Sequence, residues 1–250
     1  MLNSSSTTDT PPAPGSLEIL PGIWLPPPPP EYPWGEAQGD RLAPVAQYVV
    51  DSVYETLETL DFHLKRRSIP YCIAGGTLLG AIRHGGYIPW DDDGDIFLQK
   101  EYTRPFLDMA KELETLGYRV IPMFIGWKVQ SAIAQEKSGA GSGVGAVDVL
   151  VVQSSAEGQY LEYCSEKMRE MFPNEEVPFE VWNSVGEIRF GHLTLQGPTE
   201  QLARQYLAQC FGDDWETIAQ SHFLDHSQEC LVEVVRAPIK SYAYSRHSNH

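Results

Sequence analysis

Basic residues are scarce in this chain: 18 Lys and Arg stand against 34 Asp and Glu, a formal net charge of −16 over 250 residues. Gripping nucleic acid by its backbone requires basic surface, so the balance argues against that class. A small nucleotide or an uncharged acceptor stays compatible. Cysteine is scarce as well. Cys72, Cys164, Cys210 and Cys230 are widely spaced, with no CxxC pair and no Cys/His cluster. That spacing argues against a structural zinc site and for buried free thiols in a reducing compartment. Long hydrophobic runs are missing: nothing approaches a membrane span, and the N-terminus lacks the basic patch and apolar core of a signal peptide. A cytoplasmic protein with no membrane span is the expectation.

Proline, by contrast, is concentrated at one end. Ser, Thr and Pro dominate residues 1–40, and Pro26 to Pro30 form an unbroken run that must be extended polyproline II. Trp24, Tyr32 and Trp34 flank it. Two readings stand side by side: a disordered leader whose aromatics pack on the domain, and a ligand for a proline-recognising module. The expected organisation is a leader at 1–40, one domain at 41–232 and a tail at 233–250, which the length accommodates.

From Pro44 the pattern turns helical, with Val49, Val53, Leu57, Leu60 and Leu64 at three- and four-residue intervals. A short strand is expected at Tyr71 to Ala74 and a helix over Tyr102 to Leu116. Strands follow at Tyr118 to Met123 and Trp127 to Ala134, then a flexible loop from Ser138 to Gly145. The apolar run Val144 to Val152 reads as a further strand. Tyr160 to Phe172 reads as helix, Glu187 to Leu195 as a hairpin and Thr199 to Cys210 as a last helix. Alternating helices and short strands predict an α+β fold, a mixed β-sheet flanked by helices.

The densest chemistry lies in IAGGTLLGAIRHGGYIPWDDDGDI, from Ile73 to Ile96. Gly75 and Gly76 let the backbone turn tightly and approach a ligand without Cβ interference. The helix starting at Thr77 would offer its free N–H groups and positive dipole end to a phosphate. Asp93 and Asp95, two apart on the next strand, point to one face. Asp91, Asp92, Asp93 and Asp95 could form a solvated acidic turn, yet so many like charges held between Pro-Trp and Ile-Phe call for a counterion. An EF-hand fails, because Ile96 stands where its Gly and Tyr102 where its Glu would be. Asp148 sits in an apolar strand, a costly place unless it is paired or metal-bound. Arg83 and His84 lie between the phosphate turn and the carboxylates, where either a phosphate contact or an ordinary helix end fits. Lys128 reads equally as a phosphate contact or as a surface lysine. No Ser or Cys triad signature is present.

GGTLLGAIRHGGYIPWDDDGDI closely resembles the signature of the LicD and fukutin-related phosphotransferases, within the DNA polymerase beta-like nucleotidyltransferase superfamily. Glu101, Tyr102 and Phe106 continue the resemblance, as does IRFGHLTLQGPTEQLARQYLAQCFGDDW, so that it spans about Gln47 to Trp215. Gly94 departs from the family, which usually carries Ile or Val there. The resemblance implies a nucleotidyltransferase-type core. It further implies Mg²⁺, or Mn²⁺, held by Asp91, Asp93, Asp95 and Asp148, with Asp93, Asp95 and Asp148 catalytic. Gly75, Gly76, Thr77, Arg83, His84 and Lys128 would bind nucleotide and phosphate. The implied reaction moves an alcohol phosphate, phosphocholine- or ribitol-phosphate-like, from a CDP-linked donor to a hydroxyl acceptor on a glycan. An NTP-dependent nucleotidyltransferase acting on a small molecule or protein, and a non-catalytic nucleotide-binding relative, are the alternatives.

Overall fold

The computed structural model describes residues 12–29, 31, 34–36, 39–222, 224–225 and 230–239. Pro30, Tyr32 and the tail beyond residue 239 lie outside the described residues, as do His226, His247 and His250.

The chain opens with a small hairpin, β1 (Leu17–Leu20) and β2 (Ile23–Leu25). Ile19, Ile23 and Leu25 bury themselves in the main core. This corrects the expectation of disorder for the segment 17–25. Alternating apolar residues around a Pro-Gly turn outweigh the Ser/Thr/Pro bias that surrounds them. The long helix α1 (Gln47–Arg66) then buries Val49, Val53, Leu57, Leu60 and Leu64, the predicted stripe. Each such side chain contributes about 1.5–3 kcal/mol by leaving water. The helix begins after Pro44 rather than at it, and Val45 N–H donates to Pro89 O, which ties that stretch to the motif loop.

Next come β3 (Tyr71–Ile73), α2 (Gly75–Arg83), β4 (Gly94–Gln99) and a 3-10 turn (Lys100–Tyr102) that leads into α3 (Thr103–Thr115). The antiparallel pair β5 (Arg119–Met123) and β6 (Gly126–Gln130) follows. Here the expected strand to Ala134 stops early: Ser131 accepts a hydrogen bond from Ala134 N–H and caps α4 (Ala132–Ser138). A glycine-rich loop leads into β7 (Ala146–Ser154). Gln130 fastens that loop by donating to Gly139 O and accepting from Gly141 N–H.

The helix expected over Tyr160 to Phe172 is instead strand β8 (Tyr160–Tyr163) followed by α5 (Glu166–Met171). β8 completes pairing along the far end of β7, and tertiary pairing overrides local helical periodicity. The remaining elements are β9 (Val177–Pro178), α6 (Phe179–Asn183), the predicted hairpin as β10 (Gly186–Phe190) and β11 (Leu193–Gly197), and α7 (Glu200–Phe211). Short pieces β12 (Ile218–Gln220), β13 (Leu224–Asp225), β14 (Cys230–Leu231) and β15 (Arg236–Pro238) close the described chain. β15 pairs with β12, and Ile239 is buried, so the folded body runs past residue 232.

The main sheet runs β3-β4-β7-β6-β5, with β8 and β9 added beside β7. β4 and β7 are parallel, whereas β3–β4, β7–β6 and β6–β5 are antiparallel. The mixed sheet with helices around it is the predicted α+β architecture. Gly94 is buried against α1: a Cβ there would lie 2.9 Å from Val53 Cγ1. The helix fills the place of the larger residue.

Candidate functional site

The parallel ladder sets Asp95 directly beside Asp148, and the antiparallel ladder sets Lys128 on the other side of Asp148. Asp93, one residue ahead of β4, joins them. Ligand oxygens of Asp93, Asp95 and Asp148 lie within 4.8 Å of one another. Opposite stand Gly75 and Gly76 in the first turn of α2. Gly75 holds φ +46°, and a Cβ on it would lie 2.6 Å from Asp95 Oδ2. A Cβ on Gly76 would overlap Asp91 Oδ2. The two glycines are therefore required by the carboxylates that approach them.

Burial in the cavity wall pushes Asp93 and Asp95 well above the usual carboxylate range, and the neighbouring carboxylates raise both further. Asp91 is raised to about 6 by burial, an effect that the nearby His222 opposes. Such a set of crowded acids is costly as an isolated feature, and a divalent cation relieves it. The donors are all carboxylate oxygens, without sulfur, which suits Mg²⁺ or Mn²⁺.

The other predicted site residues divide. Gly75, Gly76, Arg83, Lys128, Asp91, Asp93, Asp95 and Asp148 all line one cavity of about 800 Å³. Asp91 stands apart from the central trio and groups with Asp92 and His222, whose Nε2 lies 3.4 Å from Asp91 Oδ1. Thr77 does not line the cavity. Its hydroxyl accepts from Asp95 N–H at 2.8 Å, fixing β4 on α2. His84 does not line it either. It packs edge-on to Trp90 and accepts from Arg83 Nε, while burial, then the charge of Arg83, lower its pKa to about 3, so it is neutral. Arg83 donates to Trp215 O and Ile218 O, joining α2 to the C-terminal segment while it faces the cavity.

Sequence reasoning missed His222 and Glu175 as site residues. Glu175 lines the cavity and accepts a short hydrogen bond from the Tyr163 hydroxyl. Nothing local marks these residues, since each is brought in by a distant segment.

A parallel strand pair ending in converging carboxylates, faced by a Gly-Gly helix start, defines a nucleotidyltransferase-type fold. Residues 68–183 match the family described as LicD/FKTN/FKRP, nucleotidyltransferase domain. The chain is 48% identical over 56 residues to the lipopolysaccharide cholinephosphotransferase LicD of Haemophilus influenzae, covering 21% of this chain and 21% of that protein. An uncharacterized protein of Rickettsia prowazekii is 27% identical over 158 residues, 62% of this chain and 54% of that one. One of Rickettsia typhi is 41% identical over 69 residues, covering 28% of this chain and 22% of the relative. The matches thus span between about a fifth and about half of these relatives. A crystal structure of ANT(2")-Ia with adenylyl-2"-tobramycin aligns over 65% of this chain and 75% of that one, at 15% identity and a TM-score of 0.35. No helix among the described residues is long and apolar enough to cross a membrane.

Proposed function

We propose that this chain is a divalent-metal-dependent phosphotransferase that moves an alcohol phosphate from a CDP-linked donor to a hydroxyl acceptor on a glycan. The observation that carries the reading is the convergence of Asp93, Asp95 and Asp148 opposite Gly75 and Gly76. The donor class, phosphocholine- or ribitol-phosphate-like, rests on the family match and on the name of the Haemophilus relative.

Asp93, Asp95 and Asp148 hold Mg²⁺ or Mn²⁺, with Asp91 beside them. The bound ion supplies charge neutralisation at the donor diphosphate. Gly75 and Gly76 bring the start of α2 close to the donor phosphates, where its dipole favours negative charge. Lys128, next to Asp148 on the sheet, offers an ammonium to the same oxygens. Asp148 takes the proton of the acceptor hydroxyl as its oxygen attacks phosphorus. The bond from that phosphorus to the CMP oxygen breaks, and CMP leaves. A second reading, transfer of a nucleoside monophosphate from an NTP with release of pyrophosphate, is favoured by the nucleotidyltransferase description of the matched domain.

Thermal melting with CDP-choline, CDP-ribitol, CDP-glycerol, CTP and ATP, with and without Mg²⁺, separates the readings. A ligand well above its dissociation constant adds about 2–3 kcal/mol. A Mg²⁺-dependent shift restricted to a CDP-alcohol is expected. A shift with CTP or ATP alone favours the second reading, and no shift with any ligand points to a non-catalytic relative.

A further inference from the structure

Pro26, Pro27 and Pro29 line the same cavity as the carboxylates, with Glu31 just beyond them. The prolines from 26 to 29 are half-buried rather than splayed into solvent. This stretch is fastened at both ends. Upstream, β1 and β2 are rooted in the core, and Arg104 Nη2 donates to Pro21 O at 2.9 Å. Downstream, Gly35 N–H donates to Leu231 O at 2.8 Å, and Trp34 bridges to Leu231. Fixed proline dihedrals between two anchors give a strap that holds its shape at little entropic cost. It lies outside residues 68–183, the segment matched to the family.

The floor of the cavity changes chemistry along the sheet. One row across the strands reads Asp95, Asp148, Lys128, Ile121 in register. Two residues further along β7, on the same face, the row reads Leu150, Gly126, Met123. Phe124, Met168 and Phe172 add further apolar lining. Proline, Met, Leu and Phe side chains offer no donor to a phosphate, and Glu31 and Glu175 repel one. Charge complementarity therefore sends anionic donor groups to the Lys128 row. The apolar row is left for an uncharged body with C–H faces.

We propose that the Pro26–Pro29 strap is the specificity wall for the acceptor, holding an uncharged, hydroxyl-bearing molecule by its C–H faces over the Leu150–Met123 floor. The term acceptor rests on the phosphotransferase reading above. The wall itself is tested without donor or turnover, so the two fail separately.

The probe is Nile red, a neutral apolar dye, titrated by fluorescence into the full chain. Replacing Pro26, Pro27 and Pro29 together by Gly should weaken dye binding by about five-fold or more, through lost contact area. The affinity for Mn²⁺ alone should stay unchanged. Met123→Glu, on the floor, should weaken the dye as well, which places it in this cavity. If the triple variant fails to fold by its melting curve, Pro29→Gly alone should still weaken the dye by about two-fold. A wild-type chain that binds no dye overturns the proposal, as does an unchanged affinity in the folded strap variant or in Met123→Glu. Capture of the folded chain by an SH3 domain with dye binding undisturbed overturns it too, since the prolines would then be free for a protein partner.

Discussion

Asp95 and Asp148 are register partners on the parallel strands β4 and β7, so two buried-side carboxylates face the same cavity from neighbouring backbones. Asp148 adds to the upward shift at both Asp93 and Asp95, behind burial. The fold holds them together through β4, which packs on α2, and β7, which packs on α1. The repulsion is therefore built in, and a divalent cation relieves it.

Removing one of these charges should separate stability from function. Asp95→Asn is expected to raise the melting temperature of the metal-free chain while sharply weakening its affinity for Mn²⁺. Differential scanning calorimetry with and without Mn²⁺ measures both effects. A metal-free variant less stable than wild type would contradict the repulsion.

The same charges set a pH dependence. A carboxyl whose folded pKa is raised binds protons more readily in the folded state. Its stabilising contribution is present at low pH and is lost as pH rises through the folded value. For Asp91 that window runs from the ordinary carboxylate range up to about 6. Asp93 and Asp95 extend it upward. Buried His84, lowered to about 3, acts in the opposite sense. The difference between wild type and Asp93→Asn isolates the carboxylates. Without metal, wild type should lose ground to the variant as pH rises from about 4 to about 7, and Mg²⁺ should abolish that trend.

Gly76→Ala should cripple metal binding more than folding. Its Cβ would overlap Asp91 Oδ2, forcing that carboxylate to move. Stability should fall by about 1–2 kcal/mol, the scale of a local overpacking. Mn²⁺ affinity, read by titration, should fall further than that destabilisation explains.

Gly94→Val puts a side chain of the family's usual kind into a place that α1 already occupies. With a Cβ only 2.9 Å from Val53 Cγ1, the expected cost is about 1–3 kcal/mol. Urea denaturation of the variant checks it. A stabilised variant would mean that α1 yields easily.

Lys128→Met should leave the metal bound and weaken the donor. A charge-assisted contact to phosphate contributes about 1.5–3 kcal/mol, so donor affinity should drop about ten-fold or more. Calorimetric titration with a CDP-alcohol and Mg²⁺ measures the change.

How much of this could be read in the sequence depended on distance along the chain. Gly75, Gly76, Asp93 and Asp95 lie within one strand-helix-strand span, and their spacing alone brought them together. Asp148 stood out as a lone charge in an apolar strand. β8 was misjudged because a short apolar run satisfies helix and strand patterns alike, and only its pairing with β7 decides. α4 was lost because the Ser131 cap lies inside what looked like a continuing strand. His222, Glu175 and the Pro26–Pro29 wall reach the cavity through long-range packing, for which local spacing carries no signal.

The metal centre is tested most directly by electron paramagnetic resonance of Mn²⁺ titrated into the wild-type chain, into Asp91→Asn, and into a variant carrying both Asp95→Asn and Asp148→Asn. A tight Mn²⁺ signal in wild type, weaker in Asp91→Asn, perturbed by added CDP-choline and lost in the double variant, is the predicted result. A double variant that binds Mn²⁺ as tightly as wild type would contradict it.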